Sequence, residues 1–205
     1  MDPNIVRRTR EKYLVYEQRH QDILNSAIRL FNSKGFKGAT IAEIAHNAGI
    51  TEPIIYNHFK NKKDLFIECF HSIENQLQRQ NLQLYRNTKG DEISYLKGAA
   101  KEYFQFLREN PDKSMFLIHL RSYKNDPEFD SIFRESMERY FGVFEKILSL
   151  ARKKGRIRSK INDHVLARIF VVHMLALVFL GDFVDPEYLT EEMISLYLSD
   201  MLGIS

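Results

Sequence analysis

The residues best suited to chemistry concentrate in a short stretch after Thr51. In a helix, Ile54, Ile55 and Phe59 would form an apolar side. The polar positions of the same stretch are Tyr56, Asn57, His58 and Lys60. Each of these four side chains can donate hydrogen bonds, and lysine adds a positive charge. This combination suits contacts with phosphate oxygens and base edges.

Capping signals predict the two short helices that must position these side chains. Thr40 and Glu43 have the spacing of a capping box, so one helix should begin directly after Thr40. Gly49 should end that helix in the left-handed conformation. Thr51 can cap a second helix, with Pro53 in its first turn, where a missing N–H loses nothing. Two helices joined by such a turn form a helix-turn-helix, whose second helix enters the DNA major groove.

Residues 22–65 resemble the N-terminal domain of the tetracycline-repressor (TetR) family, which includes AcrR-like regulators. The matching elements are Ile23-Leu24, Ala27, Leu30-Phe31, Gly35-Phe36, Thr40, Ile44-Ala45, Ala48-Gly49-Ile50, Tyr56, His58-Phe59 and Lys62. The resemblance implies an all-α fold with two parts. Residues 17–66 would form a three-helix, helix-turn-helix DNA-binding domain, and residues 67–205 a larger helical effector-binding and dimerisation domain.

The resemblance implies phosphate contacts from Tyr56, His58 and Lys62. The full set of predicted DNA-binding residues is Thr40, Thr51, Glu52, Pro53, Ile54, Tyr56, Asn57, His58, Lys60 and Lys62. Two of them depart from the family pattern, in which positions 52–54 often read Lys, Gly and a small residue. Glu52 could accept a hydrogen bond from a cytosine amino group, and Ile54 could contact a thymine methyl group. Base preference therefore cannot be transferred from relatives.

The positive charge of the chain is concentrated in its N-terminal part. Residues 1–66 hold 11 Lys/Arg and 7 Asp/Glu, whereas the remainder of the 205 residues holds 19 and 20. This distribution favours attraction to phosphates at the helix-turn-helix. Within it, residues 3–19 carry five basic and two acidic side chains. Two interpretations of this segment stay open: a solvated helical extension, or an arm that contacts DNA.

The remaining sequence predicts helices throughout. A first helix should span about 17–34 and end at Gly35, and a fourth should run from residue 62 to about 85. Five more are expected at about 92–109, 111–123, 127–154, 163–181 and 190–202. No period-two alternation suggests a strand.

The last two predicted helices carry more apolar surface than one packing face needs. A buried core helix would explain residues 165–180 without a partner. For helices 163–181 and 190–202 together, the family resemblance favours a homodimer joined by a four-helix bundle. A two-fold dimer matches a palindromic double-stranded DNA operator.

The middle helices are rich in aromatic residues and could hold a small, apolar or aromatic effector. The candidate ligand-binding residues are Tyr103, Phe104, His119, Arg121, Tyr140, Phe141, Phe170 and His173. An aromatic stripe is more often plain core. His119, Arg121 and His173 are polar groups in apolar stretches, and nearby carboxylates or carbonyls could satisfy them instead of a ligand. If the resemblance extends to mechanism, an effector would shift the fourth helix and release a repressor from DNA.

Other functional classes find little support. No HExxH pair, glycine-rich phosphate loop or nucleophile motif points to an enzyme, and no cofactor or metal ion is expected. The single cysteine, Cys69, excludes an intrachain disulfide and lies in an apolar run typical of core. No signal peptide or membrane span is predicted, so the expected compartment is the cytoplasm. A helical adaptor that keeps the domain as a relic, or an activator of the same fold, remains the alternative.

Overall fold

The computed structural model describes residues 3–123, 125–180 and 191–204, and its regular elements are all helical there. The elements in chain order are α1 (Pro3–Gly38), α2 (Ile41–Asn47), α3 (Glu52–His58), α4 (Lys62–Asn87), α5 (Glu92–Glu109), α6 (Pro111–Leu120), a 3₁₀ turn (Arg121–Tyr123), α7 (Pro127–Lys153), α8 (Asp163–Leu180) and α9 (Glu191–Leu202). The predicted all-α fold class is confirmed. The predicted helix limits at residues 181 and 190 lie outside the described residues.

Two predicted helix boundaries need correction. α1 begins at Pro3 rather than near residue 17, because Arg, Glu and Lys are good helix formers even without an apolar periodicity. The helix predicted for 111–123 ends at Leu120 and continues only as a 3₁₀ turn. Gly35 interrupts α1 as expected, with φ 69° and ψ 170°.

The chain divides into two compact units, residues 1–75 and 76–205. In the first unit, buried side chains from four helices meet in one core. These residues are Ile23, Leu24, Ala27, Phe31, Ile44, Ala45, Ile55, Leu65, Phe66 and Cys69. The Phe31 and Phe66 rings pack edge to face with centroids 5.0 Å apart. The buried Ser26 hydroxyl donates a hydrogen bond to the Ile44 carbonyl at 3.0 Å, so this core holds α1 against α2.

The second unit has its own core, built by α5, α7, α8 and α9. Its buried large side chains include Leu96, Phe144, Leu148, Leu166, Phe170, Leu198 and Leu202. Arg152 organises the α7–α8 connection by donating hydrogen bonds to Asp163 and to the carbonyls of Ser159 and Ile161. The amides of Arg158 and Ser159 donate to the Leu202 carbonyl, which closes this connection over the end of α9. The domain boundary after residue 66 stays a prediction.

Candidate nucleic-acid interface

The first helix of the helix-turn-helix has the predicted capping box. The Glu43 amide donates to the Thr40 hydroxyl at 3.2 Å, and the Thr40 amide donates back to the Glu43 carboxylate at 3.2 Å. The Lys34 ammonium group also donates to Glu43 at 2.5 Å. These hydrogen bonds from Lys34 and Thr40 lower the pKa of Glu43. Residues 40–43 therefore start α2 where the sequence predicts.

The turn between α2 and α3 is built as expected, with one exception. Gly49 has φ 68°, and the Ile50 amide donates to the Ala45 carbonyl at 3.0 Å. Thr51 occupies the N-cap position of α3, but its hydroxyl makes no capping hydrogen bond, which corrects the prediction. A cap hydroxyl accepts from the second or third helical amide. Here the second residue is Pro53, which has no N–H, and the third, Ile54, donates to the Thr51 carbonyl instead.

The outer face of α3 is accessible. Ile55 is buried and anchors this helix to the first unit, whereas Ile54 is only half-buried. The exposed residues on and beside α3 are Thr51, Glu52, Pro53, Tyr56, Asn57 and Lys60. Tyr56 is an exposed large aromatic, with 53% of its surface accessible. The accessible face therefore holds most of the predicted base-edge and phosphate contacts.

The residue predicted to contact phosphate at the start of α4 is directed into the protein in this structure. Lys62 donates to the Ala39 carbonyl at 2.9 Å, and its Nζ lies 4.7 Å from the centre of the Phe36 ring. Asn61 accepts from the Asp64 amide at the start of α4, and Asp64 accepts from the Lys60 amide. Lys62 thus joins the start of α4 to the segment that precedes α2.

His58 is also engaged with protein groups, on a side that the sequence did not indicate. Its ring stacks on Tyr16 at a centroid distance of 4.2 Å and an interplanar angle of 22°. Its Nδ1 lies 3.4 Å from the Nδ1 of His20, whose ring stacks on Phe59. Burial lowers the pKa of His58, and the nearby His20 and Arg19 act in the same direction. Sequence reasoning missed Tyr16 and His20, because their i,i+4 spacing on α1 says nothing about a partner in α3.

The candidate effector-binding residues of the second unit differ in their burial and in their contacts. Phe170 is buried against Phe144, with ring centroids 4.7 Å apart. Phe141 packs under the Arg168 guanidinium at 4.7 Å. His173 is exposed, and its Nδ1 lies 2.8 Å from the Ile169 carbonyl. Phe104 and His119 are half-buried, and the side chain of Arg121 lies outside the described residues.

Tyr103 is the candidate that most resembles a ligand contact. Its hydroxyl oxygen is buried and makes no hydrogen bond to the described protein groups. Burial raises the pKa of this phenol, and the nearby Tyr140 raises it further. A buried hydroxyl without a partner costs about 1–3 kcal/mol. Tyr103 therefore carries a buried hydroxyl whose hydrogen bond the described protein groups leave unused.

Across the described ranges, no three His, Cys, Asp or Glu side chains are placed to hold a metal ion. None of the helices described is long and apolar enough to cross a membrane. Cys69 is buried, and burial raises the pKa of its thiol, as expected of a core cysteine.

Comparisons with known proteins point to the same kind of N-terminal domain. The sequence profile described as "Bacterial regulatory proteins, tetR family" matches residues 23–69. The HTH-type transcriptional regulator AcrR of Shigella flexneri is 37% identical over 81 residues, which is 40% of this chain and 38% of AcrR. The chain thus spans well under half of that relative.

Two solved structures share the fold across nearly the whole chain. FadR from Bacillus subtilis, in complex with stearoyl-CoA, has a TM-score of 0.74 at 18% identity, covering 90% of this chain and 99% of its own. AibR, in complex with isovaleryl coenzyme A and operator DNA, has a TM-score of 0.67 at 22% identity, covering 90% and 97%. At these identities the likeness is one of fold.

Proposed function

We propose that this chain is a homodimeric repressor of the TetR family of transcriptional regulators, which are not enzymes. Each protomer would place α3 in one half of a palindromic operator. A small effector with an apolar or aromatic portion would release the protein from DNA. The observation that carries this proposal is the exposed polar face of α3, fixed by a capped α2 and a glycine turn.

The DNA-binding part of the proposal assigns different tasks to the accessible residues. Tyr56 and Lys60 would contact phosphates, which set affinity and register. Glu52, Ile54 and Asn57 would approach base edges, which carry specificity. Thr40, Thr51 and Pro53 would bring the ends of α2 and α3 close to the DNA backbone. His58 and Lys62 would support this surface from within, since both are engaged with protein groups.

Dimer formation would cover the apolar surface of the last two helices. Val165, Val172, Met193 and Leu196 on α8 and α9 are exposed in the single chain. Contiguous exposed apolar side chains mark interaction sites. Pairing of α8 and α9 with a second copy would bury them and set the distance between the two reading helices.

Effector control would act through the second unit. The ligands of the two solved relatives, stearoyl-CoA in FadR and isovaleryl coenzyme A in AibR, support an effector with an apolar portion. Tyr103 would donate its unused hydrogen bond to that effector. α4 contributes residues to both units, so its displacement would change the half-site spacing and lower the affinity for DNA.

The DNA proposal is tested by binding of the purified protein to DNA from upstream of its own gene. Scrambled DNA of equal length is the reference, and the measurement is repeated across a salt series. We expect tight binding to a palindrome, with log affinity falling linearly in log salt. Tyr56→Phe should weaken it, whereas Tyr85→Phe, which alters an exposed tyrosine of the second unit, should not. Equal, weak binding to both DNAs would favour the adaptor alternative.

The effector proposal is tested by screening short and long acyl-CoA esters for release of the bound operator. Tyr103→Phe should reduce the sensitivity of release to the active compound while leaving operator affinity unchanged. Its thermal stability should be equal or higher, because the substitution removes a buried hydroxyl without a partner. An unchanged effector response would remove Tyr103 from the site.

A further inference from the structure

The N-terminal part of α1 is fixed to the reading helix by a cluster of rings. Tyr16 and His20 of α1 pack against His58 and Phe59 at the end of α3, with stacked centroid distances of 4.2 Å for Tyr16–His58 and 4.9 Å for His20–Phe59. From Ile23 onward the same helix is part of the buried core. The helix is thus held on both sides of residue 20, and its direction relative to α3 is defined.

The helix continues well beyond this cluster. It begins at Pro3, so the segment from residue 3 to residue 16 adds about 20 Å at 1.5 Å per residue. That length equals about six base-pair steps of 3.4 Å. Among the side chains of this segment that the structure describes, Tyr13, Leu14 and Val15 are all exposed. Burial of these three side chains therefore does not explain why the helix extends this far.

The extension carries an excess of positive charge, which favours contact with DNA phosphates. The five basic residues of positions 3–19 are Arg7, Arg8, Arg10, Lys12 and Arg19. Arg19 is exposed and close enough to His58 to disfavour its protonation. It also lines an open cleft, together with Asp22 of α1 and with Ala48 and Ile50 of the turn that precedes α3. A guanidinium group therefore lies beside both the reading helix and its turn.

We propose that residues 3–19 of α1 form a second DNA-contacting element, which binds backbone phosphates flanking each half-site. Arg19 contacts the phosphate nearest to α3, and Arg10, which nine residues place on the opposite side of the helix, contacts one farther out on the other strand. Tyr16 is a positioning residue, because its stack on His58 fixes the direction of the element. This inference rests on the proposed DNA-binding function and adds an interface outside the helix-turn-helix. Such contacts raise affinity without reading sequence.

The test uses the full chain and the operator identified above. The double variant Arg10→Gln/Arg19→Gln is compared with Arg108→Gln/Arg158→Gln, which removes the same charge from exposed arginines of the second unit. Each phosphate contact contributes about 0.9 to the salt slope of log affinity. We expect the first variant to lose about 1.8 from the slope for each bound protomer, with an unchanged ratio of operator to scrambled-DNA affinity. The control variant should keep the wild-type slope.

Operator length provides an independent readout. Removal of about six base pairs from each flank should weaken the wild type but leave the Arg10→Gln/Arg19→Gln variant nearly unaffected. Tyr16→Leu should weaken binding in the wild type and have little further effect in the double variant. An unchanged salt slope together with equal sensitivity to flank length would overturn the proposal. Failure of the wild type to bind its operator would instead overturn the proposed function.

Discussion

His58 shows how one side chain in the reading helix serves packing rather than the surface. It stacks on Tyr16 and faces His20 at 3.4 Å between Nδ1 atoms. Two neutral imidazoles can share one N–H donor, but two protonated rings would repel each other. Desolvation, His20 and Arg19 lower the pKa of His58, while Glu17 opposes them. The structure therefore favours the neutral form of this histidine.

The lowered pKa of His58 predicts acid sensitivity of the first unit. The unfolded chain takes up this proton below its ordinary pKa of about 6.5, whereas the folded chain resists it until lower pH. The stability contributed by neutral His58 is thus present above about pH 6.5 and is lost as pH falls through the folded pKa. The stability advantage of the wild type over His58→Gln should shrink between pH 8 and pH 5, measured by denaturant unfolding.

The control for this experiment is His46→Gln, which alters an exposed histidine of α2. Its stability difference from the wild type should change much less over the same pH range. An equal pH dependence for both variants would contradict the assignment to His58.

Cys69 offers a probe of the same unit, because it is the single thiol of the chain. It is fully buried, and burial raises the pKa of the thiol. A thiolate is the reactive species, so alkylation requires the unit to open. Labelling by iodoacetamide at pH 8 should be at least about a hundredfold slower in the native protein than in denaturant. Mass spectrometry measures both rates, and comparable rates would show that the core around Cys69 is open.

Local contacts at this scale were predictable, and distant ones were not. Thr40 and Glu43 are three residues apart, so the sequence alone reveals the capping box. The predicted capping hydrogen bond of Thr51 was wrong, because Pro53 at the second helical position has no N–H to donate to the Thr51 hydroxyl. Lys62 donates a hydrogen bond to the Ala39 carbonyl, 23 residues away in the sequence, and the His58 ring contacts His20, 38 residues away. No spacing rule connects such pairs, since only the folded core brings them together.

At the scale of elements, α2 depends on its cap. It has seven residues, and an isolated helix of that length is unstable in water. Loss of a threonine cap costs about 1 kcal/mol, so Thr40→Ala should lower the stability of the first unit by about that amount. Operator affinity should fall as well, because α2 supports the turn before α3. Urea unfolding and DNA binding provide the two measurements.

Thr51→Ala is the matched control for Thr40→Ala. Its hydroxyl makes no capping hydrogen bond, so its removal should cost less than about 0.5 kcal/mol. Thr40→Ser should restore most of the lost stability, because serine caps as well as threonine does. Equal destabilisation by Thr40→Ala and Thr51→Ala would mean that the capping box does not determine the stability of α2.

Helix positions followed from sequence wherever a cap or a proline marks the end. At the start of α7, where the sequence predicted a helix from about residue 127, Asp126 accepts from the amides of Glu128 and Phe129. Asn110 behaves differently, since its side chain donates back to the Phe106 carbonyl and closes α5. The sequence left the start of α1 open between a solvated helical extension and a DNA-contacting arm, because its first residues have no apolar periodicity. A solvated charged helix leaves no such pattern in the sequence.

At the scale of the whole molecule, α8 and α9 leave large apolar side chains exposed to solvent in the described part of the single chain. Val172 is 53% exposed and Leu196 is 66% exposed. The sequence indicated that these helices carry excess apolar surface, but a buried core helix explained part of the pattern equally well. The structure buries Leu166, Phe170 and Leu198 in the second core and leaves a further apolar face outward. Such a face is typical of a surface that another protein covers.

A carboxylate placed on this face should separate the proposed dimer. Burial of an unpaired charge costs several kcal/mol, so Val172→Asp/Leu196→Asp should sediment as a monomer where the wild type sediments as a dimer. Leu82→Asp introduces the same group at a similarly exposed leucine of α4, 51% accessible, and should leave the dimer intact. Analytical ultracentrifugation distinguishes these outcomes. A monomeric wild type, or a dimeric double variant, would contradict the assignment of this face.

Dimer loss should also weaken operator binding, although neither substitution lies near α3. In a dimer, binding of one reading helix holds the second at high effective concentration beside its half-site. A monomer loses that gain and should bind a full palindrome scarcely more tightly than a single half-site. The wild type should prefer the full palindrome strongly. If the monomeric variant keeps that preference, the two half-sites must be joined by contacts other than α8 and α9.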